Sequence, residues 1–271
     1  MSGRILMLFD NTNRDYVARL HSGASRHAGS AGLKLDMENI DTTGRKAEQT
    51  LDEAVRGVIL TAPLCDDRHL MLQIEKRNLP FARIASMLDP GRGITVSMDE
   101  YEAARTVTSV LLDAGHRRVG IIRGPRSHLS SMRRYNGFVA ALGAKGLKPE
   151  PELVVEGDYT RESGADVAAK LLAANPTAIF ASNDNMALGL SEAARKVGLS
   201  IPRQVSLVGF DDDPFAKTMN PPLTSIRQPL EEMGAKACEM LVVATSGKGA
   251  ATGHAEVPFK LVERQSVART D

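Results

Sequence analysis

Apolar residues along the chain recur in two alternating periods. Ile5 to Phe9 is a short continuous apolar run of the kind a strand covered on both faces carries, and after it Val17, Leu20, Ala24 and Ala28 return at helical spacing. Leu33 to Asn39 alternates apolar and polar, Val58 to Leu60 is bounded by Gly57 and Pro63, and Phe81 to Ile84 follows Pro80, each reading as a strand. The alternation continues beyond them. Ala104, Val107 and Leu111 form a helical stripe ended by Gly115, Val119 to Ile122 is a strand, and Phe138, Ala141 and Leu142 lie on the helix after it. Ala178 to Ala181 and Val205 to Phe210 are further strands, with Met186, Leu190, Ala194 and Val197 on a helix between them that stops at Gly198. Thr224 to Arg227 is extended after Pro221-Pro222, Pro229 stands at a helix start, and Leu230, Met233, Ala237 and Leu241 share a face of that helix. Gly247 to Gly253 reads as a loop. Strands alternating with helices predict an α/β fold with parallel sheets covered on both faces, and each half of the chain carries its own β-α series.

That architecture points to particular positions, because open parallel sheets take their ligands outside the carboxyl ends of their strands. The stretches in that position are Asp10 to Tyr16, Ala85-Ser86, Gly124 to Arg134, Tyr159, Asn183-Asp184 and Asp211 to Asp213.

Composition narrows the function classes. The 271 residues suffice for two lobes of ordinary size, and 42% hydrophobic with 25% charged is ordinary for a globular protein. Lys and Arg number 34 against 33 Asp and Glu, a net charge of +1 that gives no support to nucleic-acid binding by this chain itself. Cys65 and Cys238, without CxxC spacing, suit a reducing compartment and two buried thiols. No apolar stretch approaches a membrane span, and Met1 to Arg4 passes straight into the first strand without a secretion signal, so a cytoplasmic location is expected.

Several chemistries lack their residues. No GxGxxG opens a helix after the first strand, Gly247-Lys248 lacks the rest of a phosphate loop, and HExxH and GxSxG are absent. The six histidines show no ligand spacing, and three adjacent carboxylates at Asp211 to Asp213 cannot all face one ion. No cofactor and no metal are expected.

Five strings, in order, resemble the LacI/GalR family of transcription repressors. They are Gly115-His116-Arg117-Arg118-Val119-Gly120-Ile121-Ile122, Arg134-Tyr135-Asn136-Gly137-Phe138, Thr177 to Gly189 (TAIFASNDNMALG), Val208 to Asp212 (VGFDD), and Pro221 to Pro229 (PPLTSIRQP). The resemblance implies two Rossmann-like lobes of the type I periplasmic-binding-protein kind, joined by three crossovers, with a small effector between them. It implies lobes at about residues 3–98 with 229–256, and 99–228 with 257–271. It also implies an N-terminal helix-turn-helix headpiece, which is expected to be absent from these residues because the first strand is expected to start by Arg4.

Carried onto this sequence, the resemblance marks eight ligand-binding candidates. Asp211 follows a buried strand, where an ionised carboxylate accepts hydrogen bonds from vicinal hydroxyls, although Asp there also suits a turn. Arg134, read as opening its helix, can grip two hydroxyls with its fork or stand solvated. Asn183 can cap a helix and face the ligand at once. Tyr159 and Tyr16 offer aromatic faces to the C–H surface of a sugar, or to a core. His128 and Ser130 lie in the loop before Arg134, and Ser86 stands where many relatives carry a ligand-binding Asp. Gln228, on a crossover, is the hinge candidate, whereas Asp212, Asp213 and Asp184 read as turn, cap or structural residues.

The expected function is the effector-sensing domain of a repressor. It would bind a mono- or oligosaccharide, dimerise with its own kind, and reach operator DNA only through the headpiece. A periplasmic sugar-binding protein of a transport system is the alternative, and the absence of a secretion signal weighs against it. An enzyme would need a second carboxylate about 5–9.5 Å across from Asp211, and none is evident. The chain is therefore not expected to be an enzyme.

Overall fold

The computed structural model describes residues 3–11, 13–40, 51–86, 88–89, 91–247 and 249–270. Met1, Ser2 and Lys248, which entered the readings of the N-terminus and of the Gly247 to Gly253 loop, lie outside them. The chain divides into two compact units, Met1–Met98 with Pro229–Pro258, and Asp99–Gln228 with Phe259–Asp271.

The first unit contains strands β1 (Arg4–Phe9), β2 (Lys34–Asn39), β3 (Val55–Leu60), β4 (Phe81–Ile84), β5 (Ile94–Ser97) and β11 (Gly253–Glu256). Its helices are α1 (Arg14–Ser30), α2 (Arg68–Lys76) and α7 (Leu230–Thr245). The strands form one parallel sheet in the order β11-β5-β4-β3-β1-β2. Central β1 buries Ile5 to Leu8 completely, because α1 and α7 lie on one face and the cluster of Val58, Leu60, Leu70, Met71 and Ile74 on the other. Edge strand β2 has no fully buried residue and leaves apolar Met37 41% exposed, so its alternating sequence does not mark a buried face.

The second unit contains β6 (Val119–Arg123), β7 (Val154–Glu156), β8 (Ala178–Ala181), β9 (Ser206–Asp211), β10 (Thr224–Arg227) and β12 (Lys260–Val262). Its helices are α3 (Glu100–Asp113), α4 (Leu129–Ala144), α5 (Arg161–Ala173) and α6 (Asp184–Lys196). The sheet order β12-β10-β9-β8-β6-β7 is parallel except for the antiparallel pair of β10 with β12. Helices α5 and α6 cross so closely that a Cβ on Gly189 would stand 1.9 Å from the Arg161 carbonyl oxygen.

Both sheets are α/β, and both reverse their strand order once, between β1 and β3 in the first unit and between β6 and β8 in the second. Such a reversal separates the loops on either side of it and leaves a crevice at the strand carboxyl ends. Several elements went unread in the sequence. β5, β7, α2 and α5 are short or carry Thr, Ser, Arg and Glu that dilute the apolar period.

Candidate ligand-binding site

Six of the eight candidates belong to the second unit, at the carboxyl ends of β6, β7, β8 and β9. Arg134 does not open its helix, as the sequence reading had it. α4 starts at Leu129, with His128 as its extended N-cap at the end of the loop and Ser130 in its first turn, so Ser130 is helical and is not in the loop. The N-cap carries no side-chain hydrogen bond and the first turn no acid, which removed the usual start signal from the sequence.

From the second turn of α4, Arg134 reaches inward and is 6% exposed. Its Nε and Nη2 grip the two oxygens of Glu100 at 2.6 and 3.2 Å, and Nη1 donates to the Ser182 carbonyl at 2.6 Å. Nη1 also stands 3.8 Å from Asp211 Oδ1, and the guanidinium carbon lies 3.7 Å from the centroid of Phe210. Burial works against this charge, but Glu100 and Asp211 outweigh it and hold the guanidinium protonated, above its ordinary value. Glu100 was not among the sequence candidates. An acid in the first turn of a helix reads as a dipole partner, and nothing local ties it to a residue 34 positions on.

Asp211 ends β9 and is 5% exposed. Burial pushes its carboxyl up to about 7, against the pull of Arg134, with Asp213 adding to the rise. Gln228 Nε2 donates to Asp211 Oδ1 at 2.5 Å. Gln228 is thus buried against a candidate carboxylate as well as being the last residue before the chain passes into the first unit. Asp212 and Asp213 diverge from Asp211. Asp212 accepts from Arg227 and Arg264, both at 2.6 Å, and the Asp213 N–H donates to Asp184. Asp184 is fully buried with Ser225 on its other oxygen, and burial followed by the Asp211 charge pushes its carboxyl well up.

Asn183 caps α6 by accepting from the Met186 N–H at 2.9 Å, while its amide donates to the Tyr159 carbonyl, also at 2.9 Å. That leaves one lone pair and one hydrogen of the side chain uncommitted by these bonds. The Tyr159 ring lies against the backbone of Gly124, where a Cβ would stand 2.1 Å from the ring, so any larger residue would displace it. Its ring centroid is 5.8 Å from His128 and 5.9 Å from the Arg134 guanidinium carbon. The hydroxyl is buried beside Ser130 without a hydrogen bond of good geometry. Burial lowers the His128 imidazole below its ordinary value and keeps it neutral.

Three residues of this cluster hold left-handed backbone, Tyr159 at φ 71°, Asp211 at φ 112° and Asp212 at φ 52°. Such conformations are costly for residues with a Cβ and gather where a site demands a particular side-chain direction. The two remaining candidates belong to the first unit. Tyr16, 8% exposed, is in the first turn of α1, and its N–H is capped by Asn13. Ser86 follows β4 after left-handed Ala85 and donates to Asp66 Oδ1 at 2.6 Å.

Comparison with known proteins agrees with this architecture. Residues 108–267 match the family described as a periplasmic binding protein-like domain. The HTH-type transcriptional regulator MalR of Streptomyces coelicolor is 33% identical over 237 residues, covering 84% of this chain and 68% of that protein. A solved transcriptional regulator CelR–cellobiose complex superposes with a TM-score of 0.90 at 26% identity, over 98% of this chain and 85% of that one. A regulatory protein of the LacI family from Chloroflexus aggregans does so with a TM-score of 0.88 at 26% identity, over 97% and 98% of the two chains.

Fold and matched domain together define a periplasmic-binding-protein-like effector domain. The chain belongs to the LacI family of transcriptional regulators, of which it spans the effector-binding region. Its relatives are regulators, and it is not an enzyme. No helix among the described residues is long and apolar enough to cross a membrane.

Proposed function

We propose that this domain senses a small polyhydroxylated molecule, a mono- or oligosaccharide, and that the ligand changes the DNA affinity of the intact regulator. The ligand contacts are Asp211, Arg134, Asn183, Tyr159, Ser130 and His128 of the second unit, with Tyr16 and Ser86 of the first. The protein acts in the cytoplasm as a homodimer, and Gln228 couples Asp211 to the crossover it occupies. The change in DNA affinity is a coupling free energy of about 1–3 kcal/mol.

One observation carries the proposal. Buried polar side chains converge at the carboxyl ends of four strands of one sheet, beside its order reversal, and left-handed backbone occurs at that same place. The cellobiose complex of a relative supports the sugar class. The transport alternative is not favoured, since the relatives are regulators.

A thermal-shift screen against sugars and nucleosides tests the proposal. A ligand at 100 times its Kd adds about 2.7 kcal/mol of stability, a clear shift. Asp211→Ala is expected to abolish that shift while circular dichroism shows an intact fold. Unchanged affinity in the variant overturns the assignment of the site.

A further inference from the structure

Asp66 and Ser86 meet at the strand carboxyl ends of the first unit. Asp66 closes the 3-10 turn Leu64–Asp66 that follows β3, and Ser86 follows β4. The Ser86 hydroxyl, on a residue only 4% exposed, donates to Asp66 Oδ1. Fully buried Arg83 of β4 brings Nη1 to 3.5 Å from the same oxygen. Its Nη1 also donates to the Cys65 carbonyl (3.4 Å) and its Nη2 to those of Leu88 (2.8 Å) and Asp89 (2.6 Å), while Nε is buried without a partner. Arg83 thereby ties the turn after β3 to the loop after β4, and the Asp66 side chain, 19% exposed, keeps one edge open to water.

The second unit repeats this balance of charge. Its buried guanidinium, Arg134, is gripped by both oxygens of Glu100, and its strand-end acceptor is again a carboxylate, Asp211. On both surfaces the buried cation is already matched by an acid. An ionised carboxylate can only accept, so it forms charge-assisted bonds with ligand hydroxyls and repels a phosphate or carboxylate.

We propose that Asp66, oriented by Ser86 and Arg83, is an effector-binding carboxylate of the first unit that selects a neutral hydroxyl donor and excludes the phosphate ester of the same sugar. The inference rests on the effector-binding reading above.

Isothermal titration calorimetry of the whole chain tests it, with cellobiose, glucose and ribose against glucose 6-phosphate and ribose 5-phosphate. The expected result is that a neutral sugar binds and its ester binds at least about 100-fold more weakly. Asp66→Asn is expected to weaken the neutral sugar at least about tenfold and to narrow the gap to the ester. Ser86→Ala leaves the buried ion pair in place, and is expected to weaken the sugar several-fold even where Asp66→Asn fails to fold. If Asp66→Asn and Ser86→Ala both bind within twofold of the parent while Asp211→Ala does not bind, the inference is overturned together with Ser86 as a ligand contact, and the effector reading stands on the second unit's residues. An ester bound as tightly as its sugar overturns the exclusion. Should no sugar bind, or should Asp211→Ala bind like the parent, the effector reading itself falls.

Discussion

Replacing Arg134 by Met cuts a buried ion pair on one side. The Arg134 and Glu100 side chains are 7% and 6% exposed, and two hydrogen bonds join them. Removing one partner of such a pair leaves an uncompensated buried charge, at a cost of about 3–5 kcal/mol. The Ser182 carbonyl also loses its donor, which places Arg134→Met near the upper end of that range. Glu100→Leu should cost less, about 2–4 kcal/mol, because Asp211 remains 3.8 Å from the guanidinium. Arg134→Met with Glu100→Leu removes both charges and fills their volume, an exchange that is often close to neutral. Urea unfolding of the four proteins at neutral pH, followed by circular dichroism, gives the coupling between the sites. It should be at least about 2 kcal/mol in the direction that makes the double variant more stable than the sum of the singles. Coupling below about 0.5 kcal/mol would refute the view that the pair is a closed electrostatic unit.

Two further outcomes can be measured. His116 is buried between Thr177, Ser206 and the Ala268 carbonyl, and burial lowers its imidazole below the ordinary value of about 6.5. The unfolded chain therefore takes up the proton first, so stability is full above about pH 6.5 and declines as pH falls below it. Urea midpoints should drop more for the parent than for His116→Gln between about pH 7.5 and about pH 5.5, and equal drops would contradict the assignment. Gly189→Ala puts a methyl group against the backbone of α5 and should cost about 1–3 kcal/mol or more. Gly143→Ala on α4 meets nothing within 4 Å and should add about 0.5–1 kcal/mol. Thermal melts shifted in the same direction by both substitutions would count against the packing described for α5 and α6.

Much of the scaffold was legible before any coordinates. The strand at Ala178–Ala181 stands where its apolar run places it, those at Phe81–Ile84 and Thr224–Arg227 where Pro80 and Pro221-Pro222 place them, and β9 is offset by one residue from Val205 to Phe210. Burial on both faces writes itself into a continuous apolar run, and a local signal needs no partner to be read. The start of α4 was misread because His128 offers no capping side chain, so the Arg-x-x-Gly-Phe string was taken for the beginning of a helix that it occupies from the second turn.

The site divides along the same line. Which residues stand at strand carboxyl ends follows from strand order along the chain for Asp211, Asn183 and Ser86, whereas Tyr159 follows the unread β7 and is marked by the family resemblance. Which charges they meet there could not be named from sequence. Arg134 finds Glu100 across 34 positions, Asp211 finds Gln228 across 17, and Ser86 finds Asp66 across 20. Periodicity reports which way a side chain faces, because that depends on neighbours one turn or one pleat away. Pairing between buried charges depends on how separate strands and helices are laid side by side, and only the packed fold sets that distance.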